Sequence, residues 1–226
     1  MTLIKSISGI RGTIGGPAGE NLTPPDVVKF TTAYVRLIAR RNPGKKLTIV
    51  VGRDARISGE MVSNLVEGTL LACGADVVNV GLCTTPGTEM AVIGKKADGG
   101  IIITASHNPK EYNGYKAYWN DGAQVVAPHD KNIIAEVQKI TSPDQVLTNG
   151  HKDNIVILDE TFDAIYLDAV HSLSLSPEAI AAHHDLKIVY TPIHGTGVIL
   201  VPESLRKFGF TNVVTVKEQN IPDGNF

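Results

Sequence analysis

The sequence predicts an α/β protein in which a mostly parallel sheet lies between layers of helices, and three observations support this prediction. Short apolar runs alternate along the chain with longer segments that repeat apolar residues at helical spacing. The run at Ile101 to Ile103 is apolar throughout, as expected of a strand that is buried on both faces. The connections have the length of right-handed βαβ units. We therefore expect one complete three-layer α/β/α domain and an incomplete second α/β domain.

The first elements follow this alternation. A helix should begin after Thr23, where a capping hydroxyl and two prolines precede apolar residues at helical spacing, and it should end near residues 42–44. Ser58 should open a second helix. Its buried face is predicted to consist of Met61, Leu65, Val66, Leu70 and Cys73. The neighbouring elements are strands at residues 47–51, 76–80 and 101–104 and a short helix at residues 86–93.

A hairpin-type strand and a polar helix should complete the first domain. The strand is predicted at residues 115–119, after Asn113-Gly114, and the helix at residues 129–140. Apolar residues spaced for the inner face of that helix are Ile133, Ile134, Val137 and Ile140. Residues 141–152 are then rich in loop formers, so a domain boundary is expected there. The predicted domains are residues 1–146 and 147–226.

The second domain repeats the βαβ pattern with only two good strands. Its predicted elements are a helix at residues 161–171, a strand at 186–190, a helix at 198–208 and a strand at 212–216. Two strands are too few for a complete domain. The chain is therefore expected to be part of a longer protein.

Composition and charge exclude several classes of protein. The 21 Lys and Arg against 23 Asp and Glu give a net charge of −2, so no basic field exists to bind nucleic acid or an anionic membrane. The longest apolar stretches have four residues, far fewer than the roughly 20 of a membrane helix. Cys73 and Cys83 lack CxxC spacing and are expected to be buried thiols. Because residues 1–10 also lack a signal-peptide core, a cytoplasmic protein is expected.

Ser106 lies just past the carboxyl end of the third predicted strand, where ligands of open α/β sheets gather. It is therefore placed as a nucleophile, although a simple turn without chemistry stays open on position alone. Lys116, ten residues later, could return beside Ser106 as a general acid or base. A serine hydrolase is disfavoured because GxSxG is absent, and because Ser106 and His107 should point to opposite sides of an extended chain.

The segment TASHNP, residues 104–109, resembles the phosphoserine loop of the α-D-phosphohexomutases. Three further segments occur in the order of that family: SGIRG at residues 8–12, VGRDAR at residues 51–56 and NGYK at residues 113–116. The resemblance covers essentially all 226 residues.

Other segments are most similar to the phosphoglucomutase branch of the family: YWNDGAQ at residues 118–124, YTPIHGTG at residues 190–197 and the closing PDGNF. This similarity favours glucose as the sugar.

The resemblance implies a hexose 1-phosphate to hexose 6-phosphate transfer through a phosphoserine and a hexose 1,6-bisphosphate. Ser106 would carry the phosphoryl group, Lys116 would be the general acid or base, and His107 would assist or orient. Arg11 would neutralise phosphate through its planar fork of donors. Arg53 and Asp54 stay open between a role in the site and a structural ion pair.

The resemblance also implies Mg²⁺, held by the phosphorylated Ser106 and by three aspartates of a DxDxDR loop. No three Asp of this chain stand at i, i+2 and i+4, so the aspartates are expected in the C-terminal domains of the full-length protein. One remaining ligand is too few for Mg²⁺. The 226-residue chain alone is therefore expected to be inactive. Hexose 1,6-bisphosphate is the expected activator, and sugar phosphates are the expected partners.

Several alternatives stay open at this point. Within the family, mannose or pentose phosphates are alternative substrates. A non-catalytic protein that binds sugar phosphates is a second alternative. A third comes from Gly195 and Gly197 before a predicted helix, with Glu218 about twenty residues on, which partly imitates a dinucleotide-binding fingerprint. Because the third glycine of that fingerprint is replaced by Leu200, the fingerprint is incomplete and is weak evidence for nucleotide binding.

Overall fold

The computed structural model describes residues 1–6, 9–146 and 154–225. The chain divides into two compact units, residues 1–157 and 158–226. The predicted domains, residues 1–146 and 147–226, remain predictions, because residues 147–153 at their boundary lie outside the described residues.

The first unit is built on a mixed sheet of seven strands. They are β1 (Ile4–Ser6), β2 (Gly9–Thr13), β3 (Thr48–Arg53), β4 (Asp76–Leu82), β5 (Gly99–Ile103), β6 (Tyr112–Trp119) and β7 (Ile155–Ile157). Their order across the sheet is β1-β2-β6-β5-β3-β4-β7. Strands β5, β3, β4 and β7 are parallel, whereas β1, β2 and β6 join the sheet antiparallel. The α/β prediction is confirmed, and the four predicted strands of this unit are β3, β4, β5 and β6.

Four helices cover the two faces of this sheet: α1 (Pro24–Arg41), α2 (Gly59–Ala72), α3 (Thr85–Gly94) and α4 (His129–Lys139). Because side chains alternate along a strand, Ile49 and Ile101 join the core cluster that α1, α2 and α4 also supply. Helix α3 lies on the other face. There a Cβ added to Gly52 or Gly100 would meet the side chains of Thr88 and Val92 at 2.5 Å. Glycines in the strands thus let α3 pack closely.

Two details of these helices differ from the sequence prediction. In α2, Val62 is buried with Val66 and Leu70, whereas Met61 is 43% exposed, so the predicted inner face was wrong by one residue at its start. The apolar residues of α2 fit two neighbouring stripes, and only packing on the sheet selects between them. In α4, the charged residue Glu136 is also buried, although only apolar residues were predicted on the inner face. Its burial is tolerated because its carboxylate forms an ion pair with Arg40 Nη2 at 2.8 Å.

Strands β1, β2 and β7 were not predicted. Strand β2 consists of Gly, Ile, Arg, Gly and Thr, which carries no β-branched run, and β1 and β7 have three residues each. Asn113 and Gly114 lie within β6, so the predicted hairpin turn at this pair was wrong. The chain instead turns in residues 104–111, and β6 returns antiparallel to β5.

The second unit contains a two-stranded parallel sheet, β8 (Ile188–Tyr190) and β9 (Val213–Thr215). Its helices are α5 (Glu160–His171), α6 (Pro177–Ala182) and α7 (Leu200–Phe208). A 3₁₀ turn at Thr196–Val198 precedes α7, where the sequence predicted the start of the helix. Within the described ranges, no helix is both long enough and apolar enough to cross a membrane.

Candidate active site

Three neighbouring strands bring the predicted site residues together. Strands β5 and β6 pair antiparallel with Ile102 opposite Lys116, so Lys116 lies close to the end of β5, where Ser106 follows. Strand β2 lies on the other side of β6, with Arg11 opposite Gly114. Arg11, Ser106 and Lys116 all line one cavity. The structure thus places these three predicted site residues around a shared space.

Two glycines allow β2 to come this close to β6. A Cβ on Gly114 would lie 2.0 Å from the carbonyl oxygen of Ile10, and a Cβ on Gly9 would lie 1.9 Å from that of Tyr115. Gly9 also has a φ of 130°, which L side chains rarely adopt. Glycine is therefore required at both positions to bring Arg11 to the cavity.

Ser106 is exposed and stands in a turn that we call the serine loop, residues 104–111. Its φ of 55° is in the left-handed region, which is uncommon for residues other than glycine and clusters at functional sites. The Ser106 amide donates to Thr104 Oγ1 at 2.9 Å. Its Oγ lies 3.4 Å from His107 Nδ1. The expectation that Ser106 and His107 point apart was wrong, since it assumed an extended backbone.

Arg11 has a donor that is available to a ligand. Its Nε is buried and makes no hydrogen bond within the described part of the chain. A buried donor without an acceptor is unfavourable, so such a group is usually satisfied by a ligand or water. Because Arg11 lines the cavity beside Ser106, an anion bound there could accept from it.

Asp54 forms its ion pair with Arg56 and not with Arg53. Asp54 Oδ2 receives Arg56 Nε at 3.2 Å, and Asp54 Oδ1 accepts the Arg56 amide at 3.1 Å. Arg53 Nη1 instead donates to the backbone oxygen of Asp54 at 3.3 Å. Asp54 therefore serves to hold Arg56, whose importance was not recognised in the sequence.

Glu89 is a second residue that the sequence analysis missed. It lies in α3 and is partly buried. Burial raises the pKa of the Glu89 carboxyl, and the nearby Lys116 ammonium acts in the opposite direction. Glu89 thus lies within electrostatic reach of the candidate acid or base. Helix α3 begins just after the carboxyl end of β4, which is the only sequence signal for this position.

A further loop follows the carboxyl end of β8 in the second unit, at residues 191–197, and we call it the histidine loop. Ile193 and His194 have φ values of 43° and 65°, so two successive residues other than glycine are left-handed. His194 Nδ1 donates to the Ile221 carbonyl at 3.1 Å, and the Asp223 amide donates to the His194 carbonyl at 3.0 Å. These bonds join the loop to the turn that follows β9.

Gly197, one glycine of the partial dinucleotide-binding fingerprint, has a packing role in this loop. Tyr190 donates its hydroxyl to the Gly197 carbonyl at 3.1 Å, and a Cβ on Gly197 would lie 2.3 Å from that hydroxyl. Gly197 is therefore explained by packing against Tyr190.

Comparison with known families decides the identity of the chain. The domain I family "Phosphoglucomutase/phosphomannomutase, alpha/beta/alpha domain I" matches residues 3–144. The chain belongs to the phosphoglucomutase/phosphomannomutase family. The domain II family of the same proteins matches residues 164–226. The serine loop lies inside the domain I match, as the resemblance of TASHNP implied.

Individual members of the phosphoglucomutase/phosphomannomutase family agree with this result. The chain is 34% identical over 217 residues to a phosphoglucomutase/phosphomannomutase of Thermococcus kodakarensis, covering 95% of this chain and 45% of that protein. It is 33% identical over 234 residues to a probable phosphoglucosamine mutase of Methanosphaera stadtmanae, covering 99% and 47%. The crystal structure of a Thermus thermophilus protein assigned as a phosphomannomutase matches with a TM-score of 0.78 at 27% identity, covering 99% and 48%. The chain spans about half the length of the relatives it matches.

Membership of this family raises the question of Mg²⁺. Among residues 1–6, 9–146 and 154–225, no three His, Cys, Asp or Glu side chains converge as metal ligands. An oxygen-rich octahedral site needs several such groups. The described residues therefore do not fit Mg²⁺ by themselves.

Proposed function

We propose that this chain is the N-terminal part of a phosphohexomutase that interconverts hexose 1-phosphate and hexose 6-phosphate, with glucose as the favoured sugar. The observation that carries the proposal is the shared cavity of Arg11, Ser106 and Lys116, in which Ser106 is exposed and left-handed. An exposed hydroxyl, a lysine and an arginine whose Nε has no acceptor among the described residues are the groups that phosphoryl transfer to a sugar needs.

The proposed first step moves a phosphoryl group from Ser106 to the sugar. The P–O bond to Ser106 Oγ breaks, and a P–O bond to the sugar hydroxyl forms. The proton lost by that hydroxyl passes to Lys116 as the base, and His107, whose Nδ1 lies 3.4 Å from Ser106 Oγ, supplies the proton that the leaving oxygen takes up. Arg11 donates to the phosphate oxygens.

The second step reverses the first with the other phosphate of the hexose 1,6-bisphosphate. The bisphosphate reorients in the site. Ser106 Oγ then attacks the phosphorus of its second phosphate, the P–O bond to the sugar oxygen breaks, and His107 accepts the proton of the serine hydroxyl. Lys116 then returns its proton to the sugar oxygen. Ser106 ends phosphorylated, as it began, and Lys116 and His107 have each returned the proton they exchanged. Added hexose 1,6-bisphosphate is therefore needed only to phosphorylate Ser106 at the outset.

Further parts of the proposal concern what lies outside the chain. We propose that Mg²⁺ is used by the full-length protein, with Ser106 as its one ligand from this chain, and that the C-terminal domains of that protein complete the site. The relatives are about twice as long as this chain, which supports the presence of further domains. A cytoplasmic location is proposed as well, since the two cysteines of the sequence, Cys73 and Cys83, lack CxxC spacing.

The experiment uses the longest reading frame that contains these residues, which we call the full-length protein. It is assayed with Mg²⁺ and a hexose bisphosphate on glucose 1-phosphate, mannose 1-phosphate and glucosamine 1-phosphate. Turnover that Ser106→Ala abolishes and that the exposed-serine control Ser172→Ala retains is expected. The same assay on the 226-residue chain should give none.

One alternative function makes an opposite prediction. A protein that only binds sugar phosphates would show no turnover on any of the sugars, and mass spectrometry would find Ser106 unphosphorylated. That result would contradict the mutase proposal.

A further inference from the structure

We propose that Arg56 is a positioning residue whose guanidinium holds the serine loop in the conformation that Ser106 needs for phosphoryl transfer. This inference rests on the proposed function for its kinetic consequence only. Its structural part concerns the loop itself and is measured separately.

The guanidinium of Arg56 is buried and fully hydrogen-bonded, with 1% of its side chain exposed. Its Nη2 donates to the carbonyls of Ser106 at 2.9 Å and Asn108 at 2.8 Å. Its Nη1 donates to those of Pro109 at 2.8 Å and Tyr112 at 2.9 Å. Its Nε donates to Asp54 at 3.2 Å.

These five bonds use all of the donors that arginine has. A guanidinium carries five N–H groups in a planar fork and no acceptor. Arg56 therefore has no donor left for a phosphate, in contrast to Arg11, whose Nε has no acceptor among the described residues. The two arginines thus have different roles, since Arg11 is available to substrate and Arg56 acts only through the backbone of the loop.

The conformation of the serine loop depends on the positive charge of the Arg56 guanidinium. Four carbonyl oxygens of one short segment converge on the Arg56 guanidinium, and their partial negative charges would repel one another without it. Ser106 is held from both sides, because its amide donates to Thr104 Oγ1 and its carbonyl accepts from Arg56. These two bonds fix the left-handed backbone on which the direction of Oγ depends.

Asp54 anchors Arg56 to the sheet. Its two carboxylate oxygens accept from the amide and the Nε of Arg56, and its own amide donates to the carbonyl of Ile103 at 2.9 Å. Arg56 is thus tied to the ends of both β3 and β5. This explains the spacing within VGRDAR at residues 51–56, because Asp54 orients Arg56 two residues later.

Lysine should not replace Arg56. An ammonium keeps the positive charge but has three donors in a tetrahedral arrangement, so it cannot serve four carbonyls and Asp54 at once. We expect Arg56→Lys to fold and to lower kcat about hundredfold, because a small misplacement of a reacting group costs about that much. KM should change by less than about threefold, since no substrate contact is lost.

The experiment compares Arg56→Lys and Arg56→Ala with Arg36→Lys and Arg36→Ala in the full-length protein. Arg36 is the matched control, because it also bonds a backbone carbonyl, that of Gln145, and a carboxylate, that of Glu136 at 3.7 Å. Hydrogen exchange is followed in peptides covering residues 104–112. The amides of Ser106, Asn108 and Tyr112 are hydrogen-bonded within the loop and report on its order.

Faster exchange of residues 104–112 in both Arg56 variants, with unchanged exchange in β3 and β5, is the expected result. Added guanidinium ion should restore kcat and loop protection in Arg56→Ala, and it should change neither quantity in the two Arg36 variants. A structural role alone would not give this selective rescue. If Arg56→Ala does not fold, Asp54→Asn supplies the second variant, and it should loosen the loop with unchanged core exchange.

Two results would overturn the inference: normal loop exchange and kcat in Arg56→Lys, or faster exchange throughout the first unit, which would make Arg56 a general structural residue. The proposed function fails in a different way. If the unmodified protein has no mutase activity while the Arg56 variants still loosen the loop selectively, Arg56 positions the serine loop and the mutase proposal is wrong.

Discussion

The serine loop and the histidine loop occupy the same place in their two sheets but are held by different means. Each follows the carboxyl end of a parallel strand, β5 or β8, and each contains left-handed residues other than glycine. The serine loop is held by a buried guanidinium that bonds four backbone carbonyls. The histidine loop is held by the ring and the backbone of His194, which is partly exposed.

A loop that carries a nucleophile needs stronger anchoring than a loop that only connects two elements. A bond from a partly exposed imidazole to one carbonyl competes with water, so its net contribution is small, about 1 kcal/mol. A buried, saturated guanidinium is far more costly to disturb, because each loop carbonyl would lose its donor. We therefore expect the serine loop to be the more firmly held of the two, whereas the conformation of the histidine loop depends on the turn at Ile221 and Asp223.

The largest expected contrast between the loops is in turnover. Ser106→Ala should lower mutase turnover of the full-length protein by about 10⁴-fold or more, because it removes the group that carries the phosphoryl. His194→Ala should leave turnover within about tenfold, since its two bonds lie within the second unit. Steady-state assays on glucose 1-phosphate measure both. Equal losses in the two variants would contradict the distinction between a catalytic and a structural loop.

Substitution of Arg11 should give the next largest loss of activity, and it separates substrate binding from positioning of the serine loop. Arg11→Ala should reduce kcat/KM about 10- to 100-fold, which corresponds to the roughly 1.5–3 kcal/mol of a hydrogen bond to a charged group. Arg11→Lys keeps the charge and should lose less. The loss should fall mainly on KM, unlike that of the Arg56 variants, because Arg11 has a donor for substrate. A loss confined to kcat would show that Arg11 does not bind the sugar phosphate.

The residues that could be predicted from the sequence are those whose position depends on neighbouring elements. Ser106 follows directly from the end of a buried strand, and Lys116 returns beside it because a short connection forces β6 antiparallel to β5. Both needed only local patterns. Strand β2 could not be found this way, since its pairing depends on Gly9 and Gly114, whose missing side chains matter only once β6 is beside them.

Arg56 shows the limit of prediction within the site itself. Its place in VGRDAR was visible, but its role depends on where the carbonyls of residues 106, 108, 109 and 112 point. That direction is fixed by the left-handed Ser106 and by Thr104, neither of which a pattern of residue types reveals. Sequence reasoning therefore assigned Asp54 to Arg53 as a possible partner and passed over Arg56.

A smaller effect is expected when the imidazole of the histidine loop is removed. His194→Ala should lower the free energy of unfolding by about 1 kcal/mol, because the Ile221 carbonyl loses its donor. His194→Asn is the matched control, since asparagine tolerates the left-handed region and offers an amide donor. Denaturant unfolding measures the change, and exchange of the Asp223 amide reports on the turn. Equal stability of the Ala and Asn variants would show that the ring does not hold this loop.

The smallest effect concerns backbone strain. Ile193 is 64% exposed and left-handed, with a φ of 43°, which is unfavourable for a β-branched side chain. Ile193→Gly should raise the free energy of unfolding by about 0.5–1 kcal/mol, because the strain relieved exceeds the entropy that glycine adds to the unfolded chain. Ile199 is 59% exposed with a φ of −99°, so Ile199→Gly should lower stability instead. If both variants lose stability, the left-handed backbone of Ile193 is not strained. Of the left-handed backbones at Ile193 and Ser106, only that at Ser106 would then need a functional explanation.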